Sequence, residues 1–122
     1  MINKRQKGEF FEKLACDHLS AMGCSILYKN YKNKSGEIDI IAKDGRFTCF
    51  IEVKFRKDNS FGGPEAAVNM AKQRQICKVS KFFLYSHKIS FDSPIRYDVI
   101  AISGDEEGYS VHWIKNAFDF IA

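Results

Sequence analysis

The chain has little of what would make it a metal-cluster, disulfide or membrane protein. Its 122 residues hold four cysteines, Cys16, Cys24, Cys49 and Cys77, and no two of them are spaced as a CxxC pair. The three histidines, His18, His87 and His112, are scattered. That spacing argues against a zinc site, and buried reduced thiols are the expected state. Proline occurs twice and tryptophan once. No apolar run approaches the length that spans a bilayer. Met1 to Lys7 is basic but no apolar stretch follows it, so no secretory leader is expected. The expected setting is the cytoplasm, away from membranes. Internal repeats, low-complexity tracts and a dividing linker are also missing, so residues 1–122 are read as one domain.

What the chain does have is a dense apolar fraction. Hydrophobic residues make up 45% and charged residues 28%, which suits a globular core. Eleven phenylalanines supply most of the aromatic share. The formal charge of +4 permits a polyanionic partner without demanding one.

Periodicity gives an α-β-β-β-α-β-β order, an α/β fold. Phe11, Leu14, Ala15, His18, Leu19 and Met22 recur at helical spacing over 4–22, and Gly23 ends the run. Residues 24–32, 37–43 and 46–55 read as strands, with Lys34-Ser35-Gly36 a turn and Asp44-Gly45 a two-residue hairpin. A long helix is expected over 65–87 with Pro64 near its start. Strands follow at 95–102 and 109–114 around the acidic Asp105-Glu106-Glu107 loop, and Asn116 is placed as the cap of a short terminal helix.

The chemistry-bearing feature is Glu52-Val53-Lys54 within an otherwise apolar strand. Alternation places Glu52 and Lys54 on one face. Burying such charges is costly unless they are paired or bound to a metal. An Asp44-Gly45 turn pairs Lys43 with Arg46, so Asp39 falls opposite Phe50 and Glu37 opposite Glu52. Asp39 and Glu52 are then diagonal neighbours on one face, about 7–8 Å apart. Two carboxylates at that span can bracket Mg²⁺ or Mn²⁺, with water and a substrate phosphate completing the shell. Lys54, about 6.6 Å along the strand from Glu52, is placed to orient water or neutralise developing charge.

Two helical residues are candidates to join this set. Glu12 flanks the apolar stripe of the first helix, as a metal ligand or as a plain surface carboxylate. Lys72 shares a helical face with Ile76, Val79 and Phe83, reaching toward an anionic centre or snorkelling to water. Asp98 is read as structural, paired with Arg96 or a basic helix residue. Phe61-Gly62-Gly63-Pro64 lacks the pattern of a phosphate cradle and reads as a tight turn. Lys4, Arg5 and Lys7 form a solvated helix start or a contact to a phosphate backbone.

Several blocks carry a resemblance over essentially the full length. They are Gly8, Glu12, Ala15 and Leu19; Asn30-Tyr31; Gly36-Glu37-Ile38-Asp39-Ile40-Ile41-Ala42; Phe50-Ile51-Glu52-Val53-Lys54 with Arg56; Phe61-Gly62, Pro64, Ala67-Val68 and Lys72; Arg96-Tyr97-Asp98-Val99; and Asn116-Ala117-Phe118. The chain resembles the YraN-like family, related to the PD-(D/E)xK nuclease superfamily that includes Holliday junction resolvases. The resemblance implies a restriction-endonuclease-like core, with a central mixed sheet flanked by helices. It implies Asp39, Glu52, the Val53 carbonyl and Glu12 as metal contacts, Lys54 as the catalytic lysine and Lys72 as an accessory residue. It implies a Mg²⁺- or Mn²⁺-dependent endonuclease acting on DNA, branched DNA included. The alternative is a nucleic-acid-binding module that keeps the fold without turnover. Resolvases act as dimers, so a homodimer is among the expected states. Two positions depart from the pattern: Phe11 stands where a glycine is favoured, and Phe55 replaces a small hydroxyl residue.

Overall fold

The computed structural model of the chain describes residues 3–56 and 68–122. The elements are α1 (Lys4–Ala21), β1 (Ser25–Asn33), β2 (Gly36–Asp44), β3 (Phe47–Arg56), α2 (Met70–Ser86), β4 (Ile95–Asp105) and β5 (Gly108–Phe118). The expected element order is therefore observed. The expected Phe61–Pro64 turn and the proline-led helix start lie outside the described residues.

The five strands form one sheet in chain order, β1-β2-β3-β4-β5. Adjacent strands joined by tight turns pair antiparallel, whereas β3 and β4 pair parallel. A parallel pair needs a crossover, and α2 provides it. The two faces of the sheet carry separate cores. Ile38, Ile41, Phe50, Tyr97 and Val99 pack under α2 through Ile76, Val79, Phe83 and Leu84. Ile40, Ala42, Cys49, Ile51, Ile100 and Ile102 pack under α1 through Phe11, Ala15 and Leu19. Cys24, Cys49 and Cys77 are buried and Cys16 is half-buried; all four are unpaired thiols. Burial pushes the Cys49 thiol up to about 12, so it is inert at neutral pH. Among the described residues no helix is long and apolar enough to cross a membrane.

Three local expectations are corrected. The β2–β3 turn is Gly45-Arg46, since Asp44 pairs with Phe47. Gly45 alone takes a positive φ of 59°, which fits a hairpin with glycine first rather than one needing two left-handed residues. Asp44 is kept in the ladder because its carboxylate meets Arg96 at 2.9 Å and Lys115 at 3.3 Å. Second, the described helix α2 begins at Met70, whereas the expected start at 65 lies outside the described residues. Asn69 is extended, and its side chain accepts from the Lys72 amide, a normal cap for the orphan donors of a helix start. Third, there is no terminal helix. β5 runs to Phe118, and Asn116 takes a φ of 54° in a bulge opposite Asp98, where its N–H donates to Asp98 Oδ1 at 2.9 Å.

Candidate active site

The corrected turn moves the hairpin register by two in the sum of paired positions. Ile40 now faces Ile51 and Ile41 faces Phe50. Continued by one residue, that register sets Asp39 opposite Glu52 rather than diagonal to it. An even change preserves parity, so the two acids still share a site.

The β2–β3 pairing stops at Ile40 and Ile51, and Asp39 is the reason. Its Oδ2 accepts from the Val53 amide at 2.8 Å, taking the donor that a backbone carbonyl would otherwise use. A facing change on β2 accompanies this. Ile38 and Ile41 lie under α2, while Ile40 and Ala42 lie under α1. Residues two apart share a face in a regular strand, so β2 is irregular at Asp39. The strands thus part around the Asp39 side chain. A strand residue presents its N–H and C=O to the same neighbour, so the Val53 carbonyl faces the Asp39 side as well.

Glu52 is buried at 5% exposure, and Asp39 is half-buried. Burial is the main force that raises the Glu52 carboxyl to about 8. A hydrogen bond donated by the protonated Glu52 carboxyl to Asp39, and repulsion by Asp39, add to the rise, while Lys72 and Lys54 oppose it. Two carboxyl groups this close cannot both ionise cheaply. Lys72 Nζ lies 3.8 Å from Glu52 Oε2, so the α2 lysine does reach toward the acid pair. Lys54 is half-buried beside it on β3.

Glu12 sits at the margin. Its Oε1 accepts from Asn30 Nδ2 at 2.7 Å. Burial raises its carboxyl, Asn30 lowers it, and Asp39 and Glu37 raise it further, which puts Glu12 within electrostatic reach of the pair. Among the described residues no three His, Cys, Asp or Glu side chains converge for a metal ion. The structure therefore brings Asp39, Glu52 and Lys72 together with Lys54, and leaves Glu12 tied to Asn30. A pair of carboxylates suffices for Mg²⁺, which keeps most of its shell as water and substrate oxygen.

Asn30 is the residue that sequence reasoning passed over. It stands inside β1 with a φ of 53°. An asparagine within a strand is the available signal, because that residue type is depleted in strands and tolerates the left-handed region. Glu37 is half-buried and pairs across β1 with Lys32, not with Glu52. Phe11 and Phe55, the two departures from the family pattern, prove to be partners: their rings stack with centroids 4.0 Å apart and planes 13° apart. Each substitution accommodates the other across the α1–β3 contact.

Asp98 is structural as expected, and it also involves a residue not foreseen. It is fully buried and accepts from Arg96 Nε and Nη2 at 2.9 Å, Trp113 Nε1 at 3.0 Å and the Asn116 amide. The Arg96 guanidinium also lies 5.0 Å from the Phe47 ring centroid.

The family model described as uncharacterised protein family UPF0102 matches residues 11–102. A UPF0102 protein of Legionella pneumophila (strain Corby) is 37% identical over 115 residues, covering 94% of this chain and 96% of its own. One of Stutzerimonas stutzeri is 34% identical over 119 residues, 98% of this chain and 99% of the relative. One of Colwellia psychrerythraea is 38% identical over 113 residues, 92% and 88% of the two chains.

Proposed function

The chain belongs to the uncharacterised protein family UPF0102, and from that premise we propose that it is a divalent-metal-dependent nuclease hydrolysing phosphodiester bonds in DNA, branched DNA included. The observation that carries this reading is the acid pair itself. Asp39 and Glu52 are neighbours in a partly buried gap, with Lys72 3.8 Å from Glu52 and Lys54 two residues along β3. A dication between them would relieve the repulsion that helps to raise the Glu52 carboxyl.

The donor set suits a hard cation. Asp39, Glu52 and the Val53 carbonyl would hold Mg²⁺ or Mn²⁺, which supplies Lewis acidity to a phosphoryl oxygen. The chain's own residues do the rest. The Val53 amide fixes the Asp39 carboxylate. Lys54 orients the attacking water, and Lys72 offsets the charge of Glu52 when its proton leaves. Such positioned charges act strongly in a site with little water. Glu12, held by Asn30, stands where it can accept a proton from water at the edge of the site.

The test is a panel of linear, flapped and four-way DNA substrates with Mg²⁺ and Mn²⁺. Cleavage by wild type that Glu52→Gln and Lys54→Ala abolish, both variants remaining folded, is the expected result. No cleavage of any substrate by wild type overturns it. A second reading, a DNA-binding module without turnover, needs only the fold and the chain's net charge of +4. Salt-dependent binding without metal-dependent cleavage identifies that case. A homodimer and a cytoplasmic setting belong to the nuclease reading; sizing by light scattering with and without DNA tests the former.

A further inference from the structure

Helix α2 carries Lys72, Arg74, Lys78 and Lys81 and not one acidic residue. Arg74, Lys78 and Lys81 are exposed, at spacings of four and three that align them along one side of the helix. None of the three forms a salt bridge among the described residues. The exposed acids include the Asp105-Glu106-Glu107 loop and also Asp92 and Asp119, which adjoin Phe91 and Phe120 in sequence. Beside the basic row is a cavity of about 600 Å³ lined by those three cations and by Phe91 and Phe120. The two rings meet edge to face with centroids 6.0 Å apart, yet remain 50% and 43% exposed. No Asp or Glu lines the cavity among the described residues.

This cavity adjoins one that reaches Lys72, beside the acid pair. A second cavity of about 470 Å³ shares Ser35 and Gln75 with the first. Its charged lining is Lys32, Lys34, Lys72 and Glu37, and Lys72 is the residue 3.8 Å from Glu52. Gly36 sits where the two meet, and a Cβ there would lie 2.6 Å from the Gln75 side chain. A largely cationic surface thus extends from the exposed aromatic rings, along α2, to Lys72 at the acid pair, with Glu37 the one carboxylate side chain that lines the two cavities among the described residues.

We propose that this path is a binding groove for a single-stranded segment of nucleic acid, which leads an unpaired tail toward the Asp39–Glu52 centre. The inference rests on the nuclease reading for its choice of polyanion. Phosphates lie along Arg74, Lys78 and Lys81, and a base stacks on the Phe91–Phe120 pair. A row of cations with aromatic faces is the chemistry that single strands use, because every base offers a π-face whatever its identity. A duplex keeps its bases stacked internally and has no use for the rings.

The test is fluorescence anisotropy in EDTA with a labelled oligo-dT strand and a duplex of equal length, so that binding is read without turnover. Wild type should prefer the single strand. The Arg74→Gln, Lys78→Gln, Lys81→Gln triple variant should flatten the log–log salt dependence by about 2, for three lost phosphate contacts. Phe120→Ala should weaken single-strand binding about tenfold and leave duplex binding unchanged. Phe120→Leu, which keeps apolar volume, should show the same selective loss, and circular dichroism verifies the fold of each variant. Equal affinity for single strand and duplex overturns the groove. So does wild-type behaviour of the triple variant, or binding to phosphatidylserine vesicles with none to the oligonucleotide. Oligonucleotide binding without cleavage in Mn²⁺ keeps the groove and removes the nuclease reading. Cleavage that the α2 variants leave untouched removes the groove and keeps the nuclease.

Discussion

Asp98 and Glu52 sit on parallel neighbouring strands, both out of water, and their surroundings could hardly differ more. Asp98 receives donors from Arg96, Trp113 and the Asn116 backbone. Its charge is answered on every side by groups the fold itself supplies. Glu52 has a carboxyl neighbour in Asp39 and one lysine at 3.8 Å. Its charge is opposed by burial and by like charge. The first arrangement is closed and complete, and the second leaves a buried acid short of partners. Burial of an acid therefore says little about its role until its partners are counted. A satisfied carboxylate stabilises a fold, and an unsatisfied one is available for chemistry.

The contrast should break first in activity. Lys54→Ala is expected to lower the cleavage rate by about 10² to 10⁴-fold, the range for losing a group positioned for proton transfer. Single-turnover kinetics on the best DNA substrate checks this, with urea unfolding little changed. Asp98→Ala should do the reverse. It leaves Arg96 buried without its main partner, which typically costs about 3–5 kcal/mol. Urea denaturation of the metal-free protein reads that loss, and a stability within 1 kcal/mol of wild type would dissolve the distinction between the two acids.

The response to pH sharpens it further. Folding raises the Glu52 carboxyl from 4.5 to about 8, so the folded chain binds a proton that the unfolded chain releases. Its contribution to stability is present in full below about 4.5 and is lost as pH rises through about 8. Asp44 goes the other way. Its hydrogen bond from Arg96 holds it below 3.8, so its contribution stands above that value and disappears in stronger acid. Thermal melts of Glu52→Gln should be flatter than wild type between those limits, and Asp44→Asn should flatten only the acid limb. On the nuclease reading a cation would displace the Glu52 proton, so the melting shift produced by Mg²⁺ should grow from pH 6 to pH 8.5. A shift that does not depend on pH would show that no proton leaves. The smallest effect concerns Asn30. Asn30→Gly preserves the left-handed backbone and removes the bond to Glu12, at a cost of about 0.5–1.5 kcal/mol. A matching loss of Mg²⁺ affinity by calorimetry would place Glu12 at the metal.

Most of the scaffold could be read before any coordinates, because the periods of the helices and strands are strong and the core is rich in branched and aromatic residues. The acid–lysine set was legible for a similar reason: ionisable groups inside an apolar strand stand out. What escaped was set by contacts between distant segments. Asp44 belongs to the ladder rather than the turn because Arg96, 52 residues on, holds it there. Asn116 bulges out of β5 rather than capping a helix because Asp98 takes its N–H. The Phe11–Phe55 stack joins two positions that looked like unrelated departures. The Asn30–Glu12 bond depends on a left-handed strand residue that no hydrophobic pattern announces.

The 2.8 Å bond between the Val53 amide and Asp39 has a consequence for how this protein can change over time. On the nuclease reading Glu52 and Lys54 serve chemistry first, so a lineage that abandons turnover could shed them and even gain rigidity from the loss of the former. Position 39 has a second employer in the backbone of the next strand. Any descendant that keeps this sheet must keep an oxygen there, and an asparagine at 39 beside an apolar residue at 52 would be the fossil of a retired enzyme.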